Sequence, residues 1–359
     1  MPDGASVEFD QSIASETGAF TEDFTLSTET TGVFMVEFWL VDRAGDNSDH
    51  VSEVFFVIDS AQSSDWTSRL SGLPGPLYDV AWDGQAFIAV GYGGAIWTSV
   101  DGIDWVERDS TTEDSLYAVA ADGSDIFAVG GFNVLLSTDH GETWRAKARP
   151  DYIALTTVAV NSSQVVATGV VPDLLFPMMM ISEDRGDTWE IRNFLGLATD
   201  LIHHDELFVA TASNSVAVSS DGKLWNGFIL GEWSSWSRWL RVVVHDGSQF
   251  IVAGDGGAVF SSLDAFNWTE LLTPFDDVDY HSAAWDGSRL VLAGGVSHQY
   301  RQDGIYRPIG ISSTDGGVSW EIFDIDSDYE SNGLAWGNGR FVSVGWTPDS
   351  DGGAIYTTE

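Results

Sequence analysis

Four stretches of this sequence crowd aromatic, basic and acidic side chains closely enough to bind or transform a ligand. In "GEWSSWSRW" (231 to 239) Trp233, Trp236 and Trp239 recur at every third position. "GVSHQYRQDGIYRPIG" (295 to 310) carries Tyr300, Arg301, Tyr306 and Arg307, and "WTPDSDGG" (346 to 353) opens on Trp346. The fourth, "VVPDLLFPMMM" (170 to 180), is apolar, and its "LLFPMMM" reads as loop packing, although methionines also make adaptable interfaces. Flat aromatic faces stack on sugar rings or peptide side chains, while a few guanidinium and carboxylate groups fix orientation. Asp276, Asp277 and Asp279 in "PFDDVDY", with Asp349 and Asp351, could supply the carboxylate pair of a glycosidase or lyase. "DIDSDYE" (324 to 330) alternates aspartates as calcium loops do, yet lacks the glycine and distal glutamate of an EF-hand. Calcium is therefore a secondary option, and no other metal or cofactor is expected. His203 and His204 have no partner at metal-ligand spacing and read as part of a strand or turn.

What must position these residues is a repeat. The phrase "LYDVAWDGQAFIAVG" (77 to 91) returns as "LYAVAADGSDIFAVG" (116 to 130), "LTTVAVNSSQVVATG" (155 to 169) and "LATDLIHHDELFVAT" (197 to 211). It returns again as "LRVVVHDGSQFIVAG" (240 to 254), "YHSAAWDGSRLVLAG" (280 to 294) and "SNGLAWGNGRFVSVG" (331 to 345), making seven copies. Two short runs of β-branched and small apolar residues around an Asp-Gly or similar pair signal a hairpin. A third strand follows, then a turn ending on tryptophan: "SVDGIDW" (99 to 105), "STDHGETW" (137 to 144), "SEDRGDTW" (182 to 189), "SSDGKLW" (219 to 225), "SLDAFNW" (262 to 268) and "STDGGVSW" (313 to 320). A fourth strand starts there, so the unit is a four-stranded antiparallel meander of roughly 40 residues, the size of a propeller blade.

In each such turn the aspartate can accept backbone N–H groups, the glycine can take positive φ, and the tryptophan returns as an apolar anchor. These turns resemble the Asp-box, or bacterial neuraminidase repeat, found in sialidases, glucanase propellers, sortilin-like receptors and the photosystem II assembly factor family. The resemblance implies a structural role for Asp101, Asp139, Asp184, Asp221, Asp264 and Asp315 and for Trp105, Trp144, Trp189, Trp225, Trp268 and Trp320, with Ala265 standing where glycine belongs. It does not imply sialidase activity. The arginine-first motif of that family is missing from the first blade, and "ARPD" (148 to 151) and "YRPIG" (306 to 310) hold Arg-Pro in the wrong order and place. Nor does an arginine-rich docking surface like that of the assembly factors suit a chain this acidic.

Seven phrases but six turns leave the last blade one strand short, while "SSDWTSRL" (63 to 70) echoes the "DWVER" of 104 to 108. The N-terminal segment is therefore expected to supply the outer strand of the last blade and close the ring, with Trp66 as the seventh equivalent tryptophan. Closure removes exposed sheet edges. Residues 1 to 60, ahead of that segment, lack the repeat. Their "GVFMVEFWLVDRAGDNS" (32 to 48) and "VSEVFFVID" (51 to 59) resemble the last strands of a bacterial immunoglobulin-like β-sandwich, a spacer module. The propeller then occupies 61 to 359.

Composition narrows the partners. With 55 Asp plus Glu against 15 Lys plus Arg the net charge is -40, which repels phosphate backbones and anionic lipid, so nucleic acid and membrane insertion are excluded. There is no cysteine and hence no disulfide or thiolate chemistry, no long apolar span, and no leader at the N-terminus. The expected protein is all-β: a seven-bladed propeller behind an immunoglobulin-like module. It is secreted or held at a bacterial cell surface or periplasm, monomeric, and part of a larger multidomain chain. Its expected function is non-catalytic binding of a glycan or protein on the loops from strand b to c and from strand d to the next a. The alternative is a carbohydrate-active hydrolase or lyase using paired carboxylates in the central pocket.

Overall fold

The structure is a computed structural model that describes residues 32–38, 51–57, 66–150, 152–230, 239–296, 307–323, 325, 329–347 and 352–358; of 32–38, 51–57, 296 and 307 only the backbone is described. Contacts divide the chain into Met1–Ser63 and Ser64–Glu359. In the first unit the described part is one antiparallel hairpin, Gly32–Phe38 against Val51–Val57, with Gly32 opposite Val57. The remainder of the immunoglobulin-like expectation lies outside the described residues.

The second unit is a seven-bladed β-propeller of four-stranded antiparallel sheets. Blade 1 runs outward as strands a to d: Leu77–Trp82, Phe87–Gly91, Ile96–Ser99 and Val106–Arg108. The innermost strands of blades 2 to 6 are Ala118–Asp122, Ala154–Val160, Ala198–His204, Leu240–His245 and Val278–Trp285. Blade 7 combines Glu330–Gly337, Arg340–Thr347 and Gly352–Thr358 with Trp66–Leu73 as its outermost strand, Trp66 pairing with Thr358 and Leu73 with Gly353. The expected closure is therefore present. Innermost strands touch their neighbours all the way round, from blade 7 back to blade 1.

Strand b is almost wholly buried in blades 1, 2 and 5 because both its faces meet a neighbouring sheet, which explains its continuous apolar run. The core lies between blades: Ile88 and Val90 pack with Val119 and Leu135, and Phe87 and Ala89 pack with Val342 and Ile355 across the closing seam. On the outside, the c–d turns follow one pattern. The Asp101 Oδ1 atom accepts the N–H groups of Ile103 and Asp104, and Ser99 Oγ donates to the same carboxylate at 3.0 Å. Asp221 and Asp264 repeat this, whereas in the longer turns Asp139, Asp184 and Asp315 accept the N–H four residues on together with the hydroxyl of Thr143, Thr188 or Ser319. The indole N–H of Trp105, Trp144, Trp225 and Trp268 donates to the carbonyl three residues back, whereas Trp189 and Trp320 reach Ala148 and Leu272 of the preceding blade. Ala265 takes the glycine's left-handed backbone, at φ 62°.

The glycine closing each hairpin phrase has a packing cause. A Cβ on Gly254 would lie 1.9 Å from the Trp239 carbonyl oxygen, and one on Gly345 would lie 1.8 Å from that of Glu330. Strand b ends against the carbonyl that starts strand a. Blade 4 departs from the phrase by one residue: its innermost strand registers on Ala198, opposite Ala212, so the copy begins at 198 and not 197. Gly254→Ala is expected to cost about 2–3 kcal/mol in urea unfolding because the backbone must move, whereas Ala212→Gly in blade 4 costs less than about 1 kcal/mol.

Candidate binding face and channel mouth

Strand pairing sets the two faces. Leu77, at the start of strand a, lies opposite Gly91 at the end of strand b, so b–c and d–a loops share one face and the tryptophan turns occupy the other. At the loop face each innermost strand carries a bulge. The register skips one residue between Leu77 and Asp79, Leu155 and Thr157, Ala198 and Asp200, Leu240 and Val242, Tyr280 and Ser282, and Ser331 and Gly333. In blade 2 the Tyr117 N–H donates to Val129, which also faces Ala118. Bulges re-aim side chains. Here they set one residue per blade around the channel mouth: Tyr78, Tyr117, Thr156, Thr199, Arg241, His281 and Asn332. Neighbours in this ring interact. Tyr78 and Tyr117 have ring centroids 5.1 Å apart, Thr199 Oγ1 donates to Leu240 in blade 5 at 2.7 Å, and Asn332 Nδ2 donates to Leu77 in blade 1 at 2.9 Å.

Over blades 5 to 7 the mouth is ionic. Arg241 pairs with Asp255 through Nε and Nη2. Asp279 Oδ1 accepts the Gly256 N–H at 3.0 Å. His281 Nδ1 lies 3.5 Å from Glu330 Oε1, and the Trp346 indole donates to Glu330 Oε2 at 2.7 Å. Burial and the adjacent Arg241 charge lower His281 to about 4, so its imidazole is neutral at pH 7. Asp255, Asp279 and His281 bring one ligand atom each within 4.8 Å of one another, a donor set of metal-binding type, but the Arg241 guanidinium already neutralises Asp255.

Over blades 1 to 4 the same face exposes large apolar side chains beside the carboxylates of Asp109, Glu113, Asp114 and Asp173. Tyr92, Tyr117, Phe132, Tyr152, Leu174, Leu175, Phe176 and Leu195 are all exposed. A cavity of about 630 Å³ opens beside the closing strand, lined by Leu73, Tyr92, Trp97 and Arg108 among others.

Two carboxylates occupy the residue just after the bulge. Asp79 Oδ1 accepts the N–H of Val80 and Oδ2 that of Val119 in blade 2, both at 2.8 Å. Asp200 does the same with Leu201 at 2.7 Å and Val243 of blade 5 at 2.8 Å. Each ties two blades together. Burial raises Asp79 to about 7, with the Asp200 charge adding to the rise, and burial raises Asp200 to about 6.

On the tryptophan-turn face, His204 finds a partner that chain spacing hid: His245 of the next blade stacks on it with centroids 3.7 Å apart, and Asp205 lies 3.5 Å from His204 Nε2. These three also group as metal donors. His245 Nδ1, however, accepts the Gly247 N–H at 3.1 Å, which leaves its proton on Nε2.

Of the residues singled out from the sequence, Trp239, Asp276, Asp277 and Trp346 lie on the loop face; Trp239 and Asp276 are exposed, while Asp277 and Trp346 are half-buried. Trp233, Trp236, Tyr300, Arg301, Tyr306, Asp349 and Asp351 lie outside the described residues, as do the aspartates of "DIDSDYE". For Arg307 only the backbone is described, opposite Val296. Leu174, Leu175 and Phe176, expected to pack within their loop, are exposed, and only Met179 and Met180 of that run enter the core. The bulge ring, with Asp255 and Glu330, is what sequence reasoning missed. Its signal was there: the second residue of the registered phrase is Tyr, Tyr, Thr, Thr, Arg, His or Asn, and never aliphatic.

No family model matches the sequence, and no curated protein matches it. Among solved structures the chain is similar to YCF48 bound to D1 peptide, at 17% identity over 83% of this chain and 96% of that one, TM-score 0.63. It is also similar to the GH74 enzyme of Niastella koreensis, at 14% identity over 82% of this chain and 53% of that one, TM-score 0.62. The WD40 propeller domain of Doa1 follows at 10% identity over 82% and 97%, TM-score 0.60. At such identities the likeness is one of fold.

Proposed function

We propose that the chain is a non-catalytic binding propeller that recognises a protein or glycan on its b–c and d–a face, with its tryptophan turns serving as structural Asp-boxes on the other. The observation that carries this is the bulge ring, which gives one face seven side chains of five different types in an otherwise repeated frame. Trp233, Trp236, Tyr300, Arg301, Tyr306 and Arg307 are assigned to the same face by their place in the sequence, in the d–a connection into blade 5 and the b–c connection of blade 6. An enzyme would need a carboxylate pair able to exchange protons with substrate. Asp79 and Asp200 instead have both oxygens engaged by backbone N–H groups, which supports binding without turnover. The neighbours divide in the same way, one bound to a peptide and one an enzyme. Acidity supports an exported protein, secreted or at a bacterial surface, acting as a monomeric module of a longer chain behind its immunoglobulin-like spacer. Among the described residues no helix is long and apolar enough to cross a membrane.

The test is a screen of the whole chain on glycan and peptide arrays, with and without calcium, beside a Trp239→Ala, Trp346→Ala double variant. A specific hit weakened at least about tenfold, or ~1.4 kcal/mol, in the variant is the expected result. Metal-independent turnover of a polysaccharide that disappears in Asp279→Asn would overturn the reading.

A further inference from the structure

The loop face is chemically two-sided, and each side points to a partner chemistry. Over blades 3 and 4 it exposes Leu174 at 75%, Leu175 at 70% and Leu195 at 60% of their surfaces, with Phe132 and Phe176 alongside. Aliphatic side chains gain from being covered by apolar surface, not from a hydroxyl-rich sugar, whose polar groups they would leave unpaired. Over blades 5 to 7, among the described residues, Asp255, Asp276, Asp277, Asp279 and Glu330 are gathered beside the channel mouth with Arg241, which pairs with Asp255, and a neutral His281. Anionic lipid is repelled by this half and by the net charge of -40.

Resting on the binding-face reading above, we infer that the partner is a polypeptide segment with an apolar block and a lysine- or arginine-rich block. It lies across the face with the apolar block over blades 2 to 4 and the cationic block over blades 5 to 7. Charge complementarity fixes the direction in which the segment lies and speeds encounter, while the leucines set the residence time.

The test uses the full chain and four synthetic 16-residue peptides. One joins a Leu/Phe-rich half to a Lys-rich half, one joins Leu/Phe to Glu, one joins Ser to Lys, and one is the first composition scrambled. Binding is read by fluorescence anisotropy at two salt concentrations, and melting curves confirm that every variant is folded. The Leu/Phe–Lys peptide is expected to bind at least about tenfold more tightly than each control. Leu175→Asp should weaken it at low and high salt alike. Asp276→Lys with Asp277→Lys should weaken it at low salt and flatten the salt dependence. Val100→Asp, on the opposite face, should change nothing. If no peptide binds, or the controls bind as well, the inference is overturned. Should a glycan bind instead and be lost in Leu175→Asp, the binding face stands and only the polypeptide partner falls. Peptide binding lost in Val100→Asp but kept in the loop-face variants would overturn both.

Discussion

Trp66→Ala is expected to destabilise the propeller by about 3–5 kcal/mol, as much as any single truncation in its core. Trp66 is buried at the head of the ring-closing strand, with its ring centroid 6.2 Å from that of Phe323 in blade 6 and 6.4 Å from that of Phe341 in blade 7. Removing it empties the seam where an outer strand taken from far away in sequence must compete with solvent. Loosening of Trp66–Leu73 also leaves Gly352–Thr358 as an unpaired edge, so aggregation should set in at lower temperature. Thermal and urea unfolding followed by circular dichroism measure both effects. Trp239→Ala removes the same side chain from an exposed place and should change stability by under about 1 kcal/mol. A Trp66→Ala loss no larger than that would mean that blade 7 holds without its closing strand.

The second large effect is on the pH dependence of stability, and two sets of aspartates pull in opposite directions. Asp79 and Asp200 are raised to about 7 and about 6 by burial, so the folded state holds their protons more tightly than the unfolded one. Their contribution is complete below the unfolded value near 3.8 and is lost as pH rises through 6 and 7. The turn aspartates behave oppositely. Asp184 and Asp315 are lowered to about 2, first by hydrogen bonds from Thr188 and Ser319, and Asp101, Asp139, Asp221 and Asp264 are lowered as well. Their contribution is present above about 4 and is lost as pH falls toward 2. Stability should therefore peak near pH 4–5 and decline by several kcal/mol, on the order of 5, by pH 8. Urea midpoints between pH 3 and 8 give the curve. The Asp79→Asn, Asp200→Asn double variant should be less stable overall, because an amide cannot accept two N–H groups with both its ends. Its decline between pH 5 and 8 should nevertheless flatten; an unchanged slope would remove these two carboxylates as the cause.

The frame was legible because hairpin and turn chemistry are local. Seven phrases, six tryptophan turns and the echo in "DWTSR" were enough to place Trp66–Leu73 on blade 7. The site was less legible, because it depends on what meets across blades. Arg241, His281 and Asn332 sit in runs that look like ordinary strand, and only the bulge separates them from the apolar positions beside them. His204 and His245 are one blade apart in sequence, so their stacking follows from the ring and not from any motif. "LLFPMMM" misled because its hydrophobicity is continuous. The paired strand begins at Phe176, and Leu174 and Leu175 belong to the turn before it.

The closing seam also sets how the propeller answers to tension. Because Trp66 pairs with Thr358 while Leu73 pairs with Gly353, a pull applied between residue 66 and residue 358 acts at one end of the ladder. Hydrogen bonds at that seam are then loaded one after another, like a zip, and not together as they would be in shear. A small force suffices to peel the outer strand and open the ring. In a chain under stretch, blade 7 is the part that yields first, and the loops of blades 2 to 5 keep their shape until it has gone.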